Sequence, residues 1–63
     1  MIDIEYLYIR KDNTCIRHHA KFYDAQKALR FLYKLKNSKN MVYTGNITCD
    51  DPYDLEYIQS RFK

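Results

Sequence analysis

The sequence predicts a small α+β fold with the element order ββαβα, on three observations. Aromatic and β-branched residues crowd positions 2–10, apolar residues recur at spacings of three and four from Ala25 to Leu35, and positions 41–49 alternate between apolar and polar. The arrangement these elements favour is a three-stranded antiparallel sheet of order 2-1-3, packed against one long helix plus a short C-terminal helix.

The first strand spans residues 2–10 and ends at Lys11-Asp12-Asn13, where Asp and Asn tolerate turn geometry. Ile2, Ile4, Tyr6 and Tyr8 share one face, Leu7 and Ile9 the other, so apolar residues occupy both faces in the manner of a central strand. A second strand over residues 14–20 follows so closely that an antiparallel hairpin is the economical connection. Its polar composition places it at an edge.

Ala25, Ala28, Leu29, Leu32 and Leu35 then mark one face of a helix, with Asp24 as N-cap and Asn37-Ser38-Lys39-Asn40 as its polar stop. In the third strand, residues 41–49, Met41, Tyr43, Ile47 and Cys49 lie opposite Val42, Thr44, Asn46 and Thr48. Gly45 in its middle marks a bulge or a close backbone approach. Asp51 and Pro52 open a tail helix that runs to about Phe62, with Leu55, Ile58 and Phe62 on one face and Tyr53 and Tyr57 on a neighbouring ridge. A right-handed crossover from the second strand to the third brings the most apolar strand to the centre. Periodicity leaves open which sheet face the tail helix covers.

A chain of 63 residues fits a single domain over residues 1–63 and buries only about 60% of the surface it exposes unfolded. Its 46% hydrophobic content is too high for a disordered segment. The net charge is +3, unevenly distributed. Residues 10–39 hold Arg10, Lys11, Arg17, Lys21, Lys27, Arg30, Lys34, Lys36 and Lys39 against Asp12 and Asp24, whereas both ends are acidic. Two cysteines, an N-terminus without a signal-peptide pattern and no long apolar run predict a cytoplasmic protein that does not span a membrane.

The basic face of the central helix is one candidate site. Lys27, Arg30 and Lys34 align opposite the apolar stripe with Tyr33 adjacent, a pattern suited to phosphates and a stacked base, and Arg17, Lys21 and Lys39 are supporting contacts. Tyrosine offers a second: there are 7 in the chain and no tryptophan, and phenols favour interfaces because they offer large contact area at low entropy cost. Tyr53 and Tyr57 on the tail helix are the expected partner-binding residues.

Other constellations point to structural roles. His18 and His19 are strand neighbours facing opposite ways, and Cys15 lies too far from His19 to share a zinc ion with it. Asp50, Asp51 and Asp54 suit a helix N-terminus, and Glu56 completes an acidic stretch without the spacing of a calcium loop. No nucleophile, base and oxyanion site assemble, so the expectation is a protein without enzymatic activity and without a cofactor or metal. The sequence therefore predicts a small regulatory or accessory module, of the kind mobile elements carry, that binds a protein partner or forms a homo-oligomer through tyrosine-rich surface. The alternative is a nucleic-acid-binding module using the central helix.

Overall fold

The computed structural model of the chain describes residues 1–62. The elements follow the predicted order: β1 (Ile2–Ile9), β2 (Cys15–Phe22), α1 (Ala25–Lys36), β3 (Met41–Cys49) and α2 (Pro52–Arg61). The sheet order is β2-β1-β3 and both pairings are antiparallel.

β2 runs two residues further than its composition predicts. Phe22 pairs with Ile2 and its ring lies 5.2 Å from that of Phe31, so packing against α1 holds the polar strand extended past Ala20. At the hairpin tip, Arg10 N–H donates to the Thr14 carbonyl at 2.8 Å and Asn13 adopts φ 68°, a left-handed conformation that asparagine tolerates. The Asp12 carboxylate accepts from the Thr14 hydroxyl at 2.6 Å and its N–H at 3.1 Å, which holds the Asp12 carboxyl below its ordinary value.

Both helices carry the predicted caps. The Asp24 carboxylate accepts from Gln26 N–H and that of Asp51 from Tyr53 N–H, each at 2.9 Å. Pro52 occupies the first turn of α2, Asp54 adds negative charge there, and Lys34, Lys36 and Arg61 lie in last turns, matching the dipoles.

Register fixes which side chains share a face. Ile2, Ile4, Tyr6 and Tyr8 of β1 pair with Phe22, Ala20, His18 and Ile16 of β2, and Ile2, Ile4 and Tyr6 with Cys49, Ile47 and Tyr43 of β3. Onto this face α1 delivers Ala28, Leu32 and Leu35 and α2 delivers Ile58, making one buried cluster with Ile2 and Ile4. The two helices thus cover the same face, the point periodicity left open. Phe31 packs at 5.3 Å from Tyr6, and Phe62 at 5.5 Å from Tyr33 and 5.7 Å from Tyr43, so aromatic rings close the margins of a thin core. Burial pushes the Tyr43 phenol up from its ordinary value.

The opposite face, carrying Asp3, Glu5, Leu7 and Ile9, has no helix over it among the described residues. Leu7 and Ile9 on this face are half-buried, so both faces of the central strand carry partly covered apolar residues. The folded surface of 4753 Å² exceeds the roughly 4,300 Å² that scaling gives for this mass, as expected for a shape 39 Å long and 15 Å thin.

Opposite Glu5, β3 accommodates Thr44, Gly45 and Asn46 where regular pairing has one residue. Because the surplus is even, Met41, Tyr43, Ile47 and Cys49 stay in phase on the helix-covered face, and the simple alternation in the sequence survives. Gly45 makes this possible through its backbone, at φ 93°. Nothing lies within 4 Å of where its Cβ would stand, so conformation rather than space selects glycine.

Candidate interaction surfaces

The open sheet face contains a polar cluster that the sequence reading missed. Asp3 and Glu5 project to the same side, and register sets His19 directly across from Glu5. His19 Nδ1 lies 2.9 Å from Asp3 Oδ1 and its Nε2 lies 3.8 Å from Glu5 Oε2. A carboxylate only accepts, so Nδ1 is the protonated nitrogen facing Asp3. Asn46, carried by the bulge, donates from Nδ2 to Glu5 Oε1 at 3.1 Å, and the Thr44 hydroxyl donates to the Glu5 carbonyl at 3.4 Å. Thr44 first, then Asn46, with the charges of Arg17 and His19 behind them, hold the Glu5 carboxyl below its ordinary value.

Together Asp3, Glu5, His19, Asn46 and Thr48 line a shallow concavity of about 110 Å³. Its one imidazole is already engaged by a carboxylate, and no cluster among the described residues is suited to hold a metal ion. The arrangement locks β2 and the bulge of β3 to β1. The signal available in the sequence was the i, i+2 spacing of Asp3 and Glu5, but their meeting with His19 depends on register.

The basic candidates divide into separate groups. Lys27 and Lys34 stand four residues before and three after Phe31, whose ring rests on Tyr6 and Phe22, so their ridge lies on the β2 side of α1 with Arg30 beside it. Tyr33 turns the other way: its hydroxyl donates to the Arg61 carbonyl at 2.9 Å and its ring meets Phe62, so it ties α1 to α2. Arg17 and Lys21 pair with Leu7 and Asp3 on the open face, across the sheet from α1. Lys39 lies in the turn before β3, at the end of the sheet where the hairpin closes.

The tyrosines also separate. Tyr57 packs against the core with the Arg61 guanidinium 3.9 Å from its ring centre. Tyr53 is 81% exposed and Tyr23 87% exposed. Tyr23 follows Phe22 and Tyr53 lies shortly after Cys49, and Phe22 and Cys49 both pair with Ile2, so these two phenols share the end of the sheet where both helices start. Asp24, Asp50, Asp51 and Asp54 make that end acidic, with Asp50 accepting from the N-terminal ammonium at 3.1 Å. Arg10, Lys11 and Lys39 gather at the opposite end.

Cys15 and Cys49 are free thiols on the two edge strands, with β1 between them. No helix among the described residues is long and apolar enough to cross a membrane. Comparisons with protein-family models, with curated proteins and with solved structures give no match for this chain.

Proposed function

We propose that the protein is a small, non-enzymatic interaction module of the cytoplasm that binds a protein partner, or a second copy of itself, through its tyrosine-bearing end. The observation that carries this reading is the joint exposure of Tyr23 and Tyr53 beside the acidic groups at the start of both helices. A phenol brings a large, rigid contact area with a polar tip, and ordering it at an interface costs little entropy. The surrounding carboxylates favour a partner surface that is basic or rich in hydrogen-bond donors. Burial of this end against a partner also adds apolar contact to a molecule whose own core is thin. The location rests on the free thiols, which suit a reducing compartment.

Sedimentation velocity from about 10 µM to 1 mM tests self-association, and a photo-crosslinking residue at Tyr53, compared with one at Lys27, tests contact with a partner. The reading expects crosslinked species from Tyr53 and few from Lys27. Crosslinking from Lys27 alone, or none from either with a monomer at every concentration, overturns it.

A second reading, nucleic-acid binding, is favoured by Lys27, Arg30 and Lys34 sharing one exposed flank of α1. Phosphate neutralisation by three cations gives a slope of log affinity on log salt of about −2 to −3 in an oligonucleotide titration. A salt-independent or absent signal removes this reading.

A further inference from the structure

We infer that the outer edge of β2 accepts an acidic, extended peptide segment of a partner protein as a fourth strand. This surface is distinct from the end bearing Tyr23 and Tyr53, and the inference does not depend on that end. Among the described residues β2 has β1 as its single strand neighbour, and it pairs with β1 in unbroken register from Cys15 to Phe22. The other edge, β3, is interrupted by the bulge opposite Glu5 and is a poorer template. The bond from Arg10 N–H to the Thr14 carbonyl sets the alternation of the hairpin ladder. By that alternation Ile16, His18, Ala20 and Phe22 bond inward to β1, and Cys15, Arg17, His19 and Lys21 direct their N–H and C=O groups outward. The residues with free outer backbone groups are therefore those whose side chains stand on the open face.

Charge selects the occupant. Arg17 and Lys21 stand on the open side of the edge, and Lys27 and Lys34 lie on the ridge of α1 that carries Phe31 on its helix side; the carboxylates on the neighbouring strand are Asp3 and Glu5, with Glu5 Oε1 3.8 Å from Arg17 Nε at the solvent-exposed rim. Asp12 in the hairpin turn and Asp24 at the start of α1 are the acids at the two ends of this edge, and their carboxylates are engaged by Thr14 and in capping. Pairing of β2 with a second β2 about His19 would set Arg17 across from Lys21, so like charge rejects the chain's own strand while admitting an acidic one. A strand added antiparallel to β2 matches these positions with carboxylates at i and i+4, a polar residue between them opposite His19, and apolar residues at i+1 and i+3 facing the helix side. Backbone bonds to Arg17, His19 and Lys21 supply affinity and the two carboxylates supply selection. A nucleic-acid backbone would use the cations but leave the row of peptide groups unpaired.

The probe is the end-blocked peptide Thr-Glu-Val-Thr-Val-Glu-Thr, titrated into the ¹⁵N-labelled full chain and followed by amide shifts and exchange. The inference expects half-saturation below about 1 mM, shifts concentrated in β2, and slowed exchange at Arg17, His19 and Lys21. Methylating both Glu amide nitrogens, or replacing both Glu by Gln, weakens binding about tenfold, and Arg17→Gln with Lys21→Gln does the same. The peptide variants leave the protein untouched, so the test survives a misfolded double mutant. The pair Tyr23→Ser and Tyr53→Ser leaves peptide binding unchanged, which separates this edge from the proposed tyrosine interface. No shifts at saturating peptide, equal binding of the N-methylated form, or tighter binding of a single-stranded oligonucleotide to the same residues overturns the inference.

Discussion

The hydroxyl of Tyr33 on α1 donates to the main-chain carbonyl of Arg61 on α2 at 2.9 Å, across a separation of 28 residues. The last carbonyls of a helix have no partner within it, so this bond satisfies one of them and fastens the end of α2 to its neighbour. Tyr33→Phe removes the hydroxyl and keeps the ring contact with Phe62. The expected loss is about 0.5–1 kcal/mol in urea unfolding, because the site is partly solvated, with exchange protection falling most at the C-terminal turn of α2. The same variant leaves oligonucleotide affinity unchanged, since the hydroxyl is not the stacking group.

Leu32 and Ile58 join the two helices through the centre of the buried cluster. Leu32→Ala is expected to cost about 2–5 kcal/mol, comparable to the whole stability of a domain this size, and to leave a largely unfolded chain by circular dichroism at 25 °C. Ile58→Val removes one methylene, costs about 0.5–1.5 kcal/mol and still folds cooperatively.

Gly45→Ala probes the bulge. The position is open but sits at φ 93°, where any Cβ is disfavoured, so a loss of about 1–2 kcal/mol is expected without steric disruption of the core. If strain is the cause, Gly45→Asn is milder than Gly45→Ala, and thermal melts of the two variants give that order.

Element order, caps and sheet order were legible because each rests on local chemistry: Asp24 and Asp51 before apolar periods, the density of apolar residues in β1, the alternation in β3. The even bulge at Gly45 left that alternation intact, so the irregularity did not mislead. The Asp3, His19 and Glu5 cluster was illegible because it depends on register between strands. Phe22 lies beyond the strand that composition predicts, because its extension comes from contact with Phe31, a residue of another element. Adjacency along the helix groups Tyr33 with the cations, and only the position of α2 shows which way it faces.

Acid sensitivity follows from Glu5 and Asp12, both held below their ordinary values of 4.5 and 3.8. A carboxyl with a depressed folded-state pKa stabilises the fold fully above its unfolded value, and the contribution fades as pH falls through the folded one. Stability is therefore expected to decline as pH drops below about 4.5. Glu5→Gln lowers the urea midpoint at pH 7, and the gap to the unsubstituted chain narrows by pH 3. For Tyr43 the sign reverses: its raised value means stability is retained below pH 10 and lost as the phenol is forced to ionise above it.

The two tyrosines of α2 lie on one helical ridge, yet they are expected to respond oppositely. Tyr57 packs against the core beneath the Arg61 guanidinium at 3.9 Å, so Tyr57→Ala removes both apolar burial and a cation–π contact. A loss of about 2–3 kcal/mol is expected, with any change in association confounded by unfolding. Tyr53, 81% exposed, makes no comparable packing, so Tyr53→Ala shifts the melting temperature by no more than about 2 °C. Its side chain follows the cap at Asp51, whose bond is to the Tyr53 backbone and survives the substitution. Loss of association in Tyr53→Ala at unchanged stability therefore reports the interface alone. Unchanged association in that variant, and in Tyr23→Ala beside it, removes the tyrosine-bearing end as the binding surface.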